Sequence, residues 1–257
     1  MSGKTPKTAL CSFDERSVRY RDRDLVSELL AGDVDFVRVM SEHILGRRVS
    51  DADLRIINAV LVVLMEHGMS PGAISTRLVY MSAPENLQGA VASGLLAVGS
   101  QFVGTVENCA RLLEEVLAEP DASARRARAK ALAREYRARR APVPGFGHHL
   151  HRPDDPRAAR LLELADELGL NTRHVAALRL LAAEVDEAAG RHITINATGA
   201  VGALLGEVGI PVGLMRGFAV ISRSAGLVAH IGEEQREPAG RHIWDLVLHD
   251  MNDSDSR

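Results

Sequence analysis

Three imidazoles fall within four residues of one another at His148, His149 and His151, directly after the run Pro142-Val143-Pro144-Gly145-Phe146-Gly147. Imidazole is the side chain that exchanges a proton near neutral pH, so acid–base chemistry is to be sought here. Arg157 follows in Asp154-Asp155-Pro156-Arg157, and its planar guanidinium suits a carboxylate or phosphate. A His-x-x-His pair such as His148 and His151 could also ligate a transition metal. No Cys or Glu completes a ligand set in the loop, and the expectation is no metal.

The elements that must position these groups read as helices. Two prolines and two glycines between Pro142 and Gly147 exclude a helix or central strand, so the histidines leave a rigid loop. Helix periodicity runs from Asp24 through Leu25, Leu29 and Leu30 to Leu45, where Gly46 stops it. Ser50 with Asp53 forms a capping-box-like start for a helix ending at Glu66-His67-Gly68. Further helices are expected over Ile74–Met81, Leu87–Val98 (small, apolar all round and therefore buried), Val106–Leu117, Asp121–Arg140, the stretch after Arg157 up to Gly169, one capped by Thr172, Ala200–Val208 and Leu214–Glu233. Ser17–Tyr20 alternates like a strand, giving a short hairpin or extended arm, and Ile193–Ala197 reads as an extended crossing. The tail from 252 to 257 is polar and expected to be disordered. The fold class is all-α.

The helix through Arg125, Arg126, Arg128, Lys130, Arg134, Arg137, Arg139 and Arg140 has two readings. It is either a solvated face or a field drawing phosphates toward the adjacent glycine loop.

Gly145-Phe146-Gly147-His148 followed by Asp155-Pro156-Arg157 resembles the signature of the citrate synthase superfamily, and more closely that of small citryl-CoA lyases and the citryl-CoA-cleaving module of ATP-citrate lyase. The resemblance implies a large and a small helical domain, the small, CoA-binding part spanning about 120–215. It implies reversible Claisen chemistry between an acyl-CoA, such as acetyl-CoA, and a 2-oxo acid such as oxaloacetate. His148 would handle the hydroxyl proton. Arg157, Arg223 (in Ile221-Ser222-Arg223-Ser224-Ala225-Gly226) and Arg241 (in Gly240-Arg241-His242) would hold carboxylates, with His67 assisting. Arg241 would act across a homodimer. Pro144, Gly145, Phe146 and Gly147 would lie against coenzyme A, which is a substrate; no tightly bound cofactor is implied.

Two positions depart from the family pattern. Phe102, in Gly99-Ser100-Gln101-Phe102-Val103-Gly104, stands where citrate synthases place a histidine, as it does in the ATP-citrate lyase module. Thr198, in Asn196-Ala197-Thr198-Gly199, stands where the family has its Asp base. Losing a general base typically costs about 10²–10⁴ in rate. Glu207, Asp186 or a water held by Thr198 could replace it. Otherwise the chain is a thioesterase, a condensing enzyme for another acyl-CoA, or a non-catalytic acyl-CoA-binding protein.

The totals agree with a helical protein: 257 residues, 46% hydrophobic but 4% aromatic. A net charge of -3 gives no sign of nucleic-acid binding. Cys11 and Cys109 are expected as reduced thiols in a cytoplasm. No apolar run is expected to reach membrane length.

Overall fold

The computed structural model describes residues 7–32, 34–99 and 105–254, side chains of 252–254 aside. Phe102 therefore lies outside the described residues. Two compact units divide between Asn58 and Ala59.

The first unit carries the expected hairpin. β1 (Cys11–Phe13), β2 (Val18–Tyr20) and β3 (Arg23–Asp24) pair antiparallel in chain order. Asp14 closes the first turn by accepting the Arg16 and Ser17 amides at 2.8 Å each. The periodicity read as one helix up to Leu45 is broken in two. A π-turn over Leu25–Leu29 is capped by Asp24, and α1 (Phe36–Leu45) starts afresh because Asp35 caps it through the Arg38 amide. Gly46 ends α1 with φ of 68°, as a left-handed cap requires. α2 (Asp51–Met65) begins as expected, with Ser50 Oγ accepting the Asp53 amide at 3.0 Å.

The second unit is built from helices: α3 (Pro71–Ser82), α4 (Leu87–Leu96), α5 (Thr105–Leu117), α6 (Ala122–Ala138), α7 (Pro156–Glu167), α8 (His174–Ala189), α9 (Ala197–Glu207), α10 (Val212–Glu234) and α11 (Gly240–Ser254). Its central helix is α9. Gly199 to Gly206 is buried without interruption, and Gly202 would drive a Cβ to 2.9 Å from the Val106 carbonyl of α5. Small residues let the backbones meet here. α4 plays the same part against α3, Gly94 and Gly72 each placing a Cβ 2.8 Å from the other's carbonyl, but it is not buried all round as expected: its Ala90 and Gly94 are buried, while Leu96 is 87% exposed. α8 is not capped by Thr172. The Glu207 carboxylate accepts the Arg173 and Val175 amides (2.7 and 3.0 Å) and the Thr172 hydroxyl. Of the tail expected to be disordered, 252–254 continue α11, and 255–257 lie outside the described residues.

α10 carries one buried stripe through Met215, Phe218, Ala219, Ser222, Gly226, Leu227 and Ile231. By length and composition alone it could cross a membrane, which corrects the expectation that no run would; a core helix passes the same test. The basic helix α6 is largely accounted for by partners: Arg126 with Glu184 (2.8 Å), Lys130 with Glu187 (2.5 Å), Arg128 with Glu115 and Arg139 with Glu135.

α10 approaches α2 closely at Gly226, whose Cβ would fall 2.1 Å from the Met65 carbonyl. Alanine in place of a helical glycine gains about 1 kcal/mol of propensity. Overpacking against rigid backbone costs about 1–3 kcal/mol, so the clash decides the sign. Gly226→Ala is expected to lower the thermal midpoint by several degrees in a circular-dichroism melt. An unchanged or raised midpoint would show that α10 can move away from Met65 freely.

Candidate active site

The Pro142–Gly147 loop is held by the extended crossing predicted at 193–197. Gly147 donates to the Thr194 carbonyl (2.7 Å), Asn196 donates to the Gly145 carbonyl (3.0 Å), and Phe146 bridges Ile195. Gly145 and Gly147 have φ of 89° and 81°, open only to glycine without strain. A Cβ on Gly145 would also meet Cys109 Sγ at 2.6 Å and the Gly199 Cα at 2.8 Å, so the loop lies directly on α5 and α9. Burial pushes the Cys109 thiol up to about 12, which leaves it unreactive.

This support fixes the state of His148. Its Nδ1 accepts the Leu150 and His151 amides at 3.1 and 3.0 Å. A ring nitrogen that accepts carries no proton, so the neutral ring has its proton on Nε2. Burial first, then the charge of His151, pulls its pKa below the ordinary histidine value, which favours that neutral ring. Nε2 lies 3.4 Å from the Arg157 guanidinium, a donor facing a donor, so the Nε2 proton is available to an oxygen brought into the site.

Arg157 is held by Asp155, which is fully buried. Asp155 Oδ1 accepts from Arg157 Nε (3.0 Å) and from the Arg157 amide (3.0 Å), capping α7. Its Oδ2 takes Arg157 Nη2 at 2.8 Å and the Ala197 amide at 3.1 Å, tying in the first turn of α9. Burial raises the Asp155 pKa, but the bonds from Arg157 outweigh it and the net direction is down.

Four of the sequence-selected residues share one wall with His148. His67, His148, Arg157, Thr198 and Arg223 all line a cleft of about 320 Å³. Residues from the first turns of four helices, Pro71 and Gly72, Thr105, Arg157, and Ala197 with Thr198, line it as well. Helix N-termini favour negative charge, so their convergence adds to the arginines. Arg223 makes no ion pair among the described residues. Burial lowers its pKa, the mark of a desolvated cation awaiting a partner. Burial, then Arg157 and Arg223, lower that of His67, which keeps its ring neutral.

Thr198 sits in an uncharged chain. Thr105 Oγ1 donates to Thr198 Oγ1 (2.9 Å), Thr198 donates to Asn196 Oδ1 (2.7 Å), and Asn196 Nδ2 donates to the Gly147 carbonyl (2.9 Å). The suggested substitute bases are committed elsewhere: Glu207 caps α8, and Asp186 accepts the Ile193 amide (2.7 Å) and binds His192. Glu66 is the carboxylate that does line the cleft. Neither it nor Thr105 carried a sequence signal, because each sits at a helix end whose neighbours only the fold brings together. His148, His151 and Asp155 offer ligand atoms within 4.8 Å of one another. With Asp155 saturated by Arg157 and His148 Nδ1 by amides, the donor set does not suit a metal.

Arg241 is not in the cleft. It lies exposed on α11, pairs with Asp245 one turn away at 3.1 Å and covers the Trp244 ring at 5.2 Å. Of the glycine loop, Gly145 and Phe146 are buried, and Phe146 and Gly147 with Pro142, Val143 and His148 line a second cleft of about 400 Å³. Arg137, Arg152, Arg191 and His192 make its rim basic. Hydrogen bonds to Asp186 and Asp154 raise the pKa of His192. His148 lines both clefts.

Residues 7–244 match the model of the citrate synthase C-terminal domain. The chain belongs to the citrate synthase family. Its fold superposes on a citryl-CoA lyase from Hydrogenobacter thermophilus at a TM-score of 0.80 and 29% identity, covering 90% of this chain and 87% of that one. An ATP citrate lyase from Methanothrix soehngenii, solved with citrate and coenzyme A, matches at 0.75 and 20% identity over 92% of this chain and 40% of that one. The ATP-citrate synthase beta chain protein 1 of Arabidopsis thaliana is 23% identical over 215 residues, 76% of this chain and 34% of that protein. The chain thus spans about a third of that curated relative.

The Asp155–Arg157 pair supplies a pH test. A carboxylate with a depressed pKa contributes its full stability above the unfolded value of about 4 and loses it as pH falls through the folded pKa. Asp155→Asn is expected to lower the thermal midpoint at neutral pH, since it removes a charged acceptor whose hydrogen bonds are each worth about 1.5–3 kcal/mol and leaves the part-exposed Arg157 guanidinium without its counter-charge. The gap between the two proteins should narrow as pH falls below about 4. A gap that stays constant in acid would show that the ion pair is not its source.

Proposed function

We propose that this chain catalyses reversible Claisen cleavage of citryl-CoA, or a closely related hydroxyacyl-CoA, to an acyl-CoA and a 2-oxo acid. The observation carrying this reading is that a neutral imidazole with its proton on Nε2 shares one cleft with Arg157, Arg223 and His67. Guanidinium groups hold the carboxylates of the 2-oxo acid half, Arg223 as a free cation and Arg157 as one face of a pair. His148 Nε2–H faces the oxygen that is hydroxyl in citryl-CoA and carbonyl in the product. Its hydrogen bond stabilises the alkoxide from which the carbon–carbon bond breaks. The electron pair passes to the thioester as an enolate, which takes a proton at carbon from a water held on the Thr105–Thr198 hydroxyls, and the hydroxide left behind takes up the proton released by the substrate hydroxyl.

The same reading assigns coenzyme A to the second cleft. Of the glycine loop, Phe146 and Gly147 line it beside Pro142 and Val143, while Pro144 and Gly145 stay outside its lining, and Arg137, Arg152 and Arg191 are available to phosphates. Residues 120–215 would then make up the CoA-binding part. Arg241 would serve a neighbouring copy in a homodimer, for which the exposed Trp244, Val247 and Met251 of α11 offer an apolar face. A cytoplasmic location fits the two free thiols, Cys11 and Cys109.

A second reading has an observation of its own. The uncharged Thr105–Thr198–Asn196 chain suits a protein that binds acyl-CoA without turning it over.

Purified protein supplied with citryl-CoA should release 2-oxo acid, and His148→Ala should slow release about 10²–10³-fold, the usual worth of one hydrogen-bond donor at a developing oxyanion. Absence of turnover in wild type with CoA thioesters still bound favours the binding protein. Thr198→Asp separates the two further. It should create activity if the base was simply lost, and slow an existing one if protons travel through the hydroxyl chain.

A further inference from the structure

A buried line of side chains runs away from the cleft behind Glu66. Glu66 Oε1 accepts three donors: the His67 amide (2.6 Å), the Gly68 amide (2.7 Å) and His230 Nε2 (3.1 Å). His230, on α10 and 8% exposed, accepts Arg77 Nε–H on its Nδ1 at 3.1 Å. Arginine has no acceptor, so this contact dictates the tautomer and leaves the imidazole proton on Nε2, aimed at Glu66. Arg77, 2% exposed, is fixed in turn by Glu234 (3.0 Å) and by Glu233. Glu234 is anchored by the Ala239 and Gly240 amides (2.9 and 2.8 Å) at the start of α11. Arg77, His230 and Glu234 are all buried, and none touches the cleft.

Glu66 itself faces two other charges. Its Oε2 lies 3.1 Å from where a Gly226 side chain would begin, one turn along α10 from Arg223. Arg223 and His67 both feel the charge of Glu66, yet Glu66 and Arg223 form no ion pair. A flexible glutamate beside a desolvated guanidinium would close onto it and occupy the position a substrate carboxylate needs. The three donors on Oε1 prevent this.

We propose that Arg77 and His230 are positioning residues that tether Glu66 and so keep the Arg223 guanidinium free for a substrate carboxylate. The proposal rests on reading the cleft as a carboxylate site. His67 benefits as well, because the same carboxylate holds its backbone amide.

Citrate binding measured by calorimetry on wild type, His230→Leu, His230→Gln and the double variant His230→Leu/Glu66→Gln tests it. His230→Leu leaves Arg77 paired with Glu233 and Glu234, and a thermal melt checks its fold. Its citrate affinity should fall on the order of tenfold as Glu66 swings to Arg223, the scale of one charged hydrogen bond. Glu66→Gln in that background should restore it, since the competing charge is gone. His230→Gln, which keeps a donor for Glu66, should stay close to wild type. A purely structural role for His230 gives no rescue by Glu66→Gln, so an unrescued loss overturns the proposal, as does wild-type affinity in His230→Leu. If wild type binds no citrate, the carboxylate reading fails separately. The tether is then judged in substrate-free protein by the Arg223 guanidinium signals in nitrogen NMR. They should shift in His230→Leu, as Glu66 pairs with Arg223, and return in the double variant; unmoved signals overturn the tether.

Discussion

The site depends on one buried carboxylate. Asp155 is inaccessible to water, so its charge must be matched by donors or not exist. It finds four, and they belong to different parts of the fold: the start of α7, the Arg157 guanidinium through two nitrogens, and the first turn of α9. The consequence is geometric. Arg157 has its fork fixed against Asp155, which leaves only its outer face for a ligand. α9 cannot shift relative to α7 without stranding the charge. Because the Gly145 loop rests on Gly199 of α9, the imidazole of His148 inherits the same frame.

What the cleft lacks is as consequential as what it holds. Where a family base would be a carboxylate, a chain of hydroxyl and amide groups runs from Thr105 to the Gly147 carbonyl. Every link is neutral. Two unpaired charges of opposite sign would attract at this range, whereas a hydroxyl does not compete with Arg157 or Arg223 for a substrate carboxylate. On the proposed reading, the cleft would therefore bind anions more strongly and move carbon-bound protons less readily than one with an acid at position 198. Microscopic reversibility makes that cost equal in both directions, so the substitution says nothing about which way the reaction runs.

The parts of this arrangement legible in the sequence share a property: their chemistry is local. Gly145-Phe146-Gly147-His148 is a turn whose φ values demand glycine, and Asp155-Pro156-Arg157 is a helix start with its cap beside the residue it orients. Periodicity located most helices for the same reason. Glu66 and Thr105 were invisible because their significance arises from partners 164 and 93 residues away. α4 and α9 show the limit of composition. Both are runs of small apolar residues, yet α9 is enclosed while α4 exposes Leu96. Smallness permits close approach in both, as where Gly94 of α4 meets Gly72 of α3, but neighbours decide how much of the helix is covered. Thr172 made the converse error plausible. It has the right chemistry for a cap, yet the Glu207 carboxylate, arriving from α9 with a full charge, satisfies two amides where a hydroxyl accepts one.

The two arginines that face the cleft are not equivalent, and the difference bears on how a polycarboxylate would sit. Arg157 is already neutralised by Asp155, so a ligand carboxylate beside it gains a directional bond but little net charge compensation. Arg223 is half-buried and forms no ion pair among the described residues, and its lowered pKa is the cost of that burial. A carboxylate placed on Arg223 relieves the desolvation of both ions, whereas one on Arg157 must share the guanidinium. Affinity should therefore come chiefly from Arg223, and orientation toward His148 from Arg157, whose nitrogen lies 3.4 Å from the His148 ring. That division leaves the strongest attraction away from the reacting carbon. Binding there can hold the substrate while the bonds made in the transition state remain for His148 to supply.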